Sequence, residues 1–181
     1  MDDVRWLDER EARAWRALQY MQMRLEAELA RQLSADSGLS YPDYLVLVAL
    51  TDRPEGRMRL FELAGILGWE KSRLSHHIAR MADRTLVAKE RCDADRRGAD
   101  VVVTSKGRSE IEAAAPGHVA AVRRLFVDQL TPSQLDAIGE AAEAVLAAFD
   151  EPPSLALDSC VPTHRKTPRT GAGALGSPLV N

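Results

Sequence analysis

Residues 60–104 read LFELAGILGWEKSRLSHHIARMADRTLVAKERCDADRRGADVVVT, and the order of elements within them decides the fold. Leu60–Leu67 is predicted as a short helix closed by Gly68, because glycine accepts the left-handed conformation that ends a helix. A second helix is expected from near Lys71 to about Arg84. At ~100° per residue, Leu74, Ile78 and Met81 fall on one face of it, and Ser72, Arg73, His76, Ala79, Arg80 and Asp83 on the other. The apolar stripe anchors the helix. The opposite stripe combines Arg, His and Ser, which can hydrogen-bond to base edges and phosphates, and a major groove is wide enough to admit a helix. Two helices joined by a tight turn make a helix-turn-helix. Taken alone, the second helix reads more simply as having a solvated polar face.

The next element shifts the balance. A strand over Leu86–Arg91, the polar segment CDADRRGAD and the β-branched run Val101–Thr104 read as an antiparallel hairpin with a long tip. Arg96 and Arg97 sit at that tip beside Gly98, and Asp95 is placed to pair with Arg97 or to brace the turn. A β-ribbon of this kind is a wing that can carry arginine into a minor groove. The same letters are common turn residues, but the order helix, turn, basic helix, basic hairpin is seldom accidental.

Outward from this module, residues 7–33 contain neither Gly nor Pro and carry Trp15, Leu18, Leu25, Leu29 and Leu33 at helical spacing. This predicts one long helix ending before Gly38. Pro42 suits the first turn of a helix that runs until Pro54. Beyond the hairpin, helix resumes at Ser105, is expected to break at Pro116-Gly117, continues to about Leu130, and restarts after Thr131-Pro132. The last helix carries Leu135, Ile138, Ala142, Val145, Leu146 and Phe149, a stripe of core or partner-facing type. Residues 151–181 turn to Pro, Ser, Thr and Gly and are expected to be a disordered tail.

The 181-residue chain has 45% hydrophobic and 28% charged residues and a net charge of −3, a composition of soluble globular proteins. That average hides a local field: residues 57–108 hold twelve Lys/Arg against seven Asp/Glu, a net of +5, while the remainder carries −8. A basic middle between acidic flanks suggests a polyanion-binding face. No secretory signal or membrane span is evident, and two distant cysteines, Cys92 and Cys160, give no disulfide framework, so the cytoplasm is the expected compartment.

The residues from Gly38 to Gly107 resemble the multiple-antibiotic-resistance regulator (MarR) family of winged-helix transcription factors. The resemblance lies in SGLSYPDYLVLVAL (37–50), GRMRLFELAGILGWEKSRLSHHIARM (56–81), LVAKERCDADRRGADVVVTSKG (86–107) and, more weakly, LTPSQLDAI (130–138). The wing signature D-x-R is met by Asp95 and Arg97, and the strand-to-helix signature by Val103-Thr104 with Gly107. The flanking helices also fit.

The resemblance implies a mainly α fold with a small β-hairpin: a winged helix over about 41–108, and dimerisation helices over about 7–36 and 105–149, within one domain spanning 1–150. It further implies a homodimeric regulator of double-stranded DNA on an inverted repeat. Repression relieved by a small aromatic carboxylate or phenol, bound in a crevice beside the dimerisation helices, is the expected regulation. The expected DNA-contacting set is Arg59, Ser72, Arg73, Ser75, His76, Arg80, Arg96 and Arg97, with Asp95 bracing the wing. Arg73 and His76 are assigned to bases, and Arg59 and Arg97 to phosphates or groove shape. Trp15, Tyr20, Tyr41 and Tyr44 are the candidate wall of an effector site, although each also reads as ordinary core.

Two positions depart from the family pattern. Glu70 stands where a small or capping residue usually begins the recognition helix. Thr85 stands where glycine usually precedes the wing, and since a β-branched residue in a left-handed conformation is strained, a different turn geometry is expected there.

Rival functions find less support. No nucleotide-binding, metalloprotease or serine-hydrolase motif is present, so no enzyme activity and no cofactor is expected. Adjacent His76 and His77 point ~100° apart on a helix, without an i+4 partner to complete a metal site. Cys92, beside Arg91, is a candidate reactive thiol but reads more simply as a small hydrophobe. The alternative that stays open is a helical dimerisation protein with no DNA role.

Overall fold

The structure is a computed structural model. It describes residues 4–92 and 95–149, with the backbone alone for 91, 92 and 95–98. The expected disordered tail, 151–181, lies outside the described residues.

Among the described residues, six α-helices and three strands follow in the order α1 (Glu9–Ser37), α2 (Tyr41–Thr51), β1 (Arg57–Arg59), α3 (Leu60–Leu67), α4 (Lys71–Asp83), β2 (Val87–Cys92), β3 (Asp95–Val103), α5 (Ser105–Leu125) and α6 (Pro132–Leu146). Local chemistry fixes their ends. Asp8 with Glu11, Ser40 with Asp43, and Thr131 with Gln134 form reciprocal capping boxes at the starts of α1, α2 and α6, each satisfying backbone N–H groups that a helix start leaves open. Gly38 and Gly68, at φ 67° and 61°, close α1 and α3.

The core lies in the winged-helix module. Leu33, Leu39, Leu47, Leu50, Leu63, Leu74, Ile78, Met81 and Val101 are fully buried together, joined by Met58, Leu86 and Ile111. The sheet has the order β1-β3-β2, all antiparallel. β1 is a third strand absent from the expected hairpin. It pairs Arg57 with Val102 and Arg59 with Asp100, and buries Met58 between two exposed or half-buried arginines.

The hairpin strands run further than expected. β3 begins at Asp95, so much of the polar segment is paired strand rather than tip. The ladder pairs Arg91 with Ala99 and then Cys92 with Asp95, so its register shifts opposite residues 96–98. Backbone pairing holds a ladder of this kind without hydrophobic alternation, which is why its polar residues gave no strand signal.

The break expected at Pro116 does not occur: α5 is continuous through it. Proline costs the bond to the carbonyl four residues back, but Glu112 and Pro116 are both exposed, so that carbonyl can be hydrated. Buried Ile111, Ala114, Ala115 and Ala121 hold the helix on either side. Gly117 lies against α1, where an added Cβ would stand 3.2 Å from Gln32 Nε2.

The stripe of α6 is not core. Ile138, Val145 and Phe149 remain 37%, 61% and 58% exposed, and α6 buries no residue. The first half of α1 likewise leaves Trp15, Leu18, Tyr20 and Met23 open.

Candidate nucleic-acid interface

Helix α4 is seated by Leu74, Ile78 and Met81, all fully buried. Its N-cap, Glu70, makes no side-chain capping bond. At its other end Thr85 has φ 60°, the one non-glycine residue with positive φ among those described. The expectation of a different turn geometry is therefore corrected: threonine takes the left-handed position itself. The surroundings fix it there. Thr85 N–H donates to the Ala82 carbonyl at 2.8 Å and Leu86 N–H to that of Met81 at 3.0 Å, the two bonds of a Schellman ending. Leu86 and Met81 are both buried. Thr104 Oγ1 donates to the Thr85 carbonyl at 2.6 Å and accepts from Gly107 N–H at 3.0 Å. Lys106 Nζ caps the Arg84 carbonyl at 3.0 Å.

On the outer side of α4, Ser72, Arg73, His76 and Arg80 are exposed and Ser75 is half-buried, so one face gathers these five candidates. Two of the arginines are held. The Arg73 guanidinium lies over the Trp69 ring, 4.7 Å from its centroid. Arg80 Nη2 is 3.1 Å from His77 Nδ1. His77 is buried, with its ring edge-on to Trp69 at 5.4 Å, and its Nε2 is 3.1 Å from Asp43 Oδ1 on α2.

Asp43 is 2% exposed. Burial pushes its carboxyl pKa up, but hydrogen bonds from His77, Arg84 and Ser40 more than offset this and hold it well below the usual carboxylate range. Arg84 Nη1 approaches Oδ2 at 2.6 Å, and Ser40 N–H donates to the same oxygen at 3.0 Å. Sequence reasoning missed this cluster. The Ser40-x-x-Asp43 capping pattern was visible, but not that the acid faces α4.

At the base of the hairpin, Arg57 Nη2 bridges Glu90 Oε2 at 3.0 Å and Asp100 Oδ2 at 2.9 Å, tying all three strands. The hydrogen bond to Asp100, opposed by desolvation and aided by Glu90, holds the Arg57 pKa above its ordinary value. Arg59, expected as a phosphate contact at the start of α3, lies at the end of β1 with Nε 3.2 Å from Asp100 Oδ1. The backbone of Asp95, Arg96 and Arg97 belongs to β3; their side chains lie outside the described residues.

The four aromatic candidates do not converge within one chain. Tyr44 is buried on α2, with its ring 4.4 Å from that of His118 on α5, and Tyr41 is half-buried nearby. Trp15 and Tyr20 are 55% and 68% exposed on the first half of α1. Tyr20 is roughly 13 Å along the helix from Leu29, at a rise of ~1.5 Å per residue. Leu29 is the first buried residue of that helix.

Residues 37–98 match the model of the MarR family. The chain is similar to AbsC, a MarR family transcriptional regulator from Streptomyces coelicolor, at 39% identity over 80% of this chain and 97% of AbsC, with a TM-score of 0.74. It is also similar to Sco3205 from the same organism, a MarR family transcriptional regulator solved in complex with DNA. There the identity is 37% over 83% of this chain and 94% of Sco3205, with a TM-score of 0.78. The chain belongs to the MarR family. A mutant MarR from E. coli, complexed with operator DNA, shares the fold at 18% identity over 72% of this chain and 91% of that one, with a TM-score of 0.66. A search of curated proteins finds no match.

As a MarR family member, the protein is a DNA-binding transcriptional regulator and not an enzyme. No helix among the described residues is long and apolar enough to cross a membrane.

Proposed function

We propose that this MarR regulator acts in the cytoplasm as a homodimeric repressor on an inverted-repeat operator, with half-site centres about one helical turn, ~10 bp, apart. In this reading α4 enters the major groove, and Arg73, His76, Arg80, Ser72 and Ser75 face the bases. Arg96 and Arg97 act on phosphates or a narrow minor groove. Arg59, engaged with Asp100, is reassigned to bracing the hairpin base. The observation carrying the proposal is the single exposed face of α4 that gathers Arg73, His76 and Arg80 opposite a fully buried stripe. The open stripes of α1 and α6 support a partner copy, since apolar faces of this extent mark interaction surfaces.

Relief by a small aromatic or phenolic acid is the proposed regulation. Support comes from Tyr44 and His118, whose rings meet between α2 and α5, with Tyr41 one turn before Tyr44 on α2. Burial lowers the His118 pKa, and its Nδ1 has no hydrogen-bond partner among the described residues, which leaves a neutral polar handle beside the Tyr44 ring. Trp15 and Tyr20 fit the partner-facing stripe better than this wall.

The test is a fluorescence-anisotropy titration of the full-length protein with duplex from upstream of its own gene, repeated over a range of salt. Each neutralised phosphate contributes roughly −0.9 to the slope of log K against log salt. A steep slope and preference over scrambled duplex are expected. A salt-independent association would favour the dimerisation-protein alternative.

A further inference from the structure

The network behind α4 does more than anchor it. Arginine can only donate hydrogen bonds, so the Arg80 Nη2 contact to His77 Nδ1 at 3.1 Å requires a lone pair on Nδ1. The ring proton of a neutral His77 then sits on Nε2, the nitrogen 3.1 Å from Asp43 Oδ1. That second contact is bent, with the N–H not squarely on the oxygen, and draws on the charge of Asp43 as much as on alignment. Asp43 is itself fixed by Arg84 and by the backbone N–H of Ser40. The reverse tautomer would set an N–H against the Arg80 guanidinium and a lone pair against a buried carboxylate, two repulsions in place of two attractions.

We propose that His77 is a positioning residue for DNA recognition: Asp43 selects its Nε2–H tautomer, and its Nδ1 lone pair then fixes the Arg80 guanidinium on the exposed face of α4. Its edge also packs on Trp69, the ring that carries Arg73, so both arginines are oriented from one buried point. A long side chain held in one geometry loses less freedom on binding and discriminates better between base steps than a free one. The proposal rests on the reading of α4 as the DNA-facing helix.

Two substitutions in the full-length protein separate the contacts. In His77→Asn the side-chain oxygen lies near the former Nδ1 and can accept from Arg80. In His77→Gln the amide nitrogen lies near the former Nε2 and can donate to Asp43. Both remove the ring from Trp69, so that loss is common to the pair. The readout is the affinity ratio between operator and scrambled duplex. It is expected to stay within about threefold of wild type for His77→Asn and to fall about tenfold for His77→Gln, the scale of one base contact. Equal ratios for the two, or the reverse order, would overturn the proposal.

A DNA-free arm reads the tautomer by 15N NMR of the wild-type ring. Nε2–H is expected, and Nδ1–H would overturn the proposal whatever the duplex data show. A wild-type protein that bound operator and scrambled duplex alike would instead sink the DNA reading of α4, with the NMR arm still judging the tautomer.

Discussion

Arg84 Nη1 stands 2.6 Å from Asp43 Oδ2, joining the C-terminus of α4 to the first turn of α2 across 41 residues of chain. The pair is unequal, since the acid is almost fully buried while the Arg84 side chain is 47% exposed. Removing the acid leaves His77 and Arg84 without their shared partner and breaks the α2 capping box. Removing the arginine leaves a carboxylate that still has Ser40 and His77.

Asp43→Ala is therefore expected to destabilise the fold by about 3 kcal/mol, and Arg84→Ala by less, on the scale for one partner lost from a buried pair. Urea denaturation of each variant gives the comparison. Equal losses would mean that the exposed end of the pair contributes as much as the buried one.

The same carboxylate sets a pH dependence. Its folded pKa is depressed, so its contribution is fully present above the unfolded value of about 4 and is lost as pH falls below that toward the folded value. The stability gap between wild type and Asp43→Asn should be flat from neutral pH to about pH 4.5 and should close below it. A gap that instead widened with acid would reverse the assigned direction.

Thr85 occupies a left-handed position at φ 60°, a cost of about 1 kcal/mol or more for a β-branched residue. Thr85→Gly should raise stability by roughly 0.5–1 kcal/mol, and Thr85→Val, which keeps the strain and loses the hydroxyl bond to the Arg84 carbonyl, should lower it. Thermal melting that ranks valine above glycine would contradict the strain argument.

Gly107 makes the opposite case. An added Cβ would fall 2.0 Å from the Leu86 carbonyl oxygen, a backbone atom just before β2 that cannot rotate away. Gly107→Ala should cost about 3 kcal/mol, the upper end for overpacking, and should weaken DNA binding because the displaced backbone begins the wing. Chemical denaturation together with an operator titration checks both.

Much of this was legible in the sequence where a residue's own chemistry sets its conformation. Gly38 and Gly68 ended helices, Thr131-Pro132 began one, and the period of Leu74, Ile78 and Met81 gave α4 its buried face. Illegible features depended on partners distant in sequence. β1 is three residues, Arg57–Arg59, with no strand pattern of their own, held by pairing with β3. Pro116 read as a break because its local cost was visible, while the packing that holds α5 on both sides was not. Among the expected site residues, the face of α4 followed from periodicity, but the pairing of Arg59 with Asp100 did not show because the two are far apart in the chain. His77 showed only as the neighbour of His76 because nothing local shows Asp43 behind it.

The most direct test of the account is selection of binding sites by the full-length protein from a pool of random duplexes. The expected product is an inverted repeat with half-site centres about 10 bp apart, whose preferred bases change with Arg73→Ala. Failure to enrich any sequence, or enrichment of a site without two-fold symmetry, would contradict it.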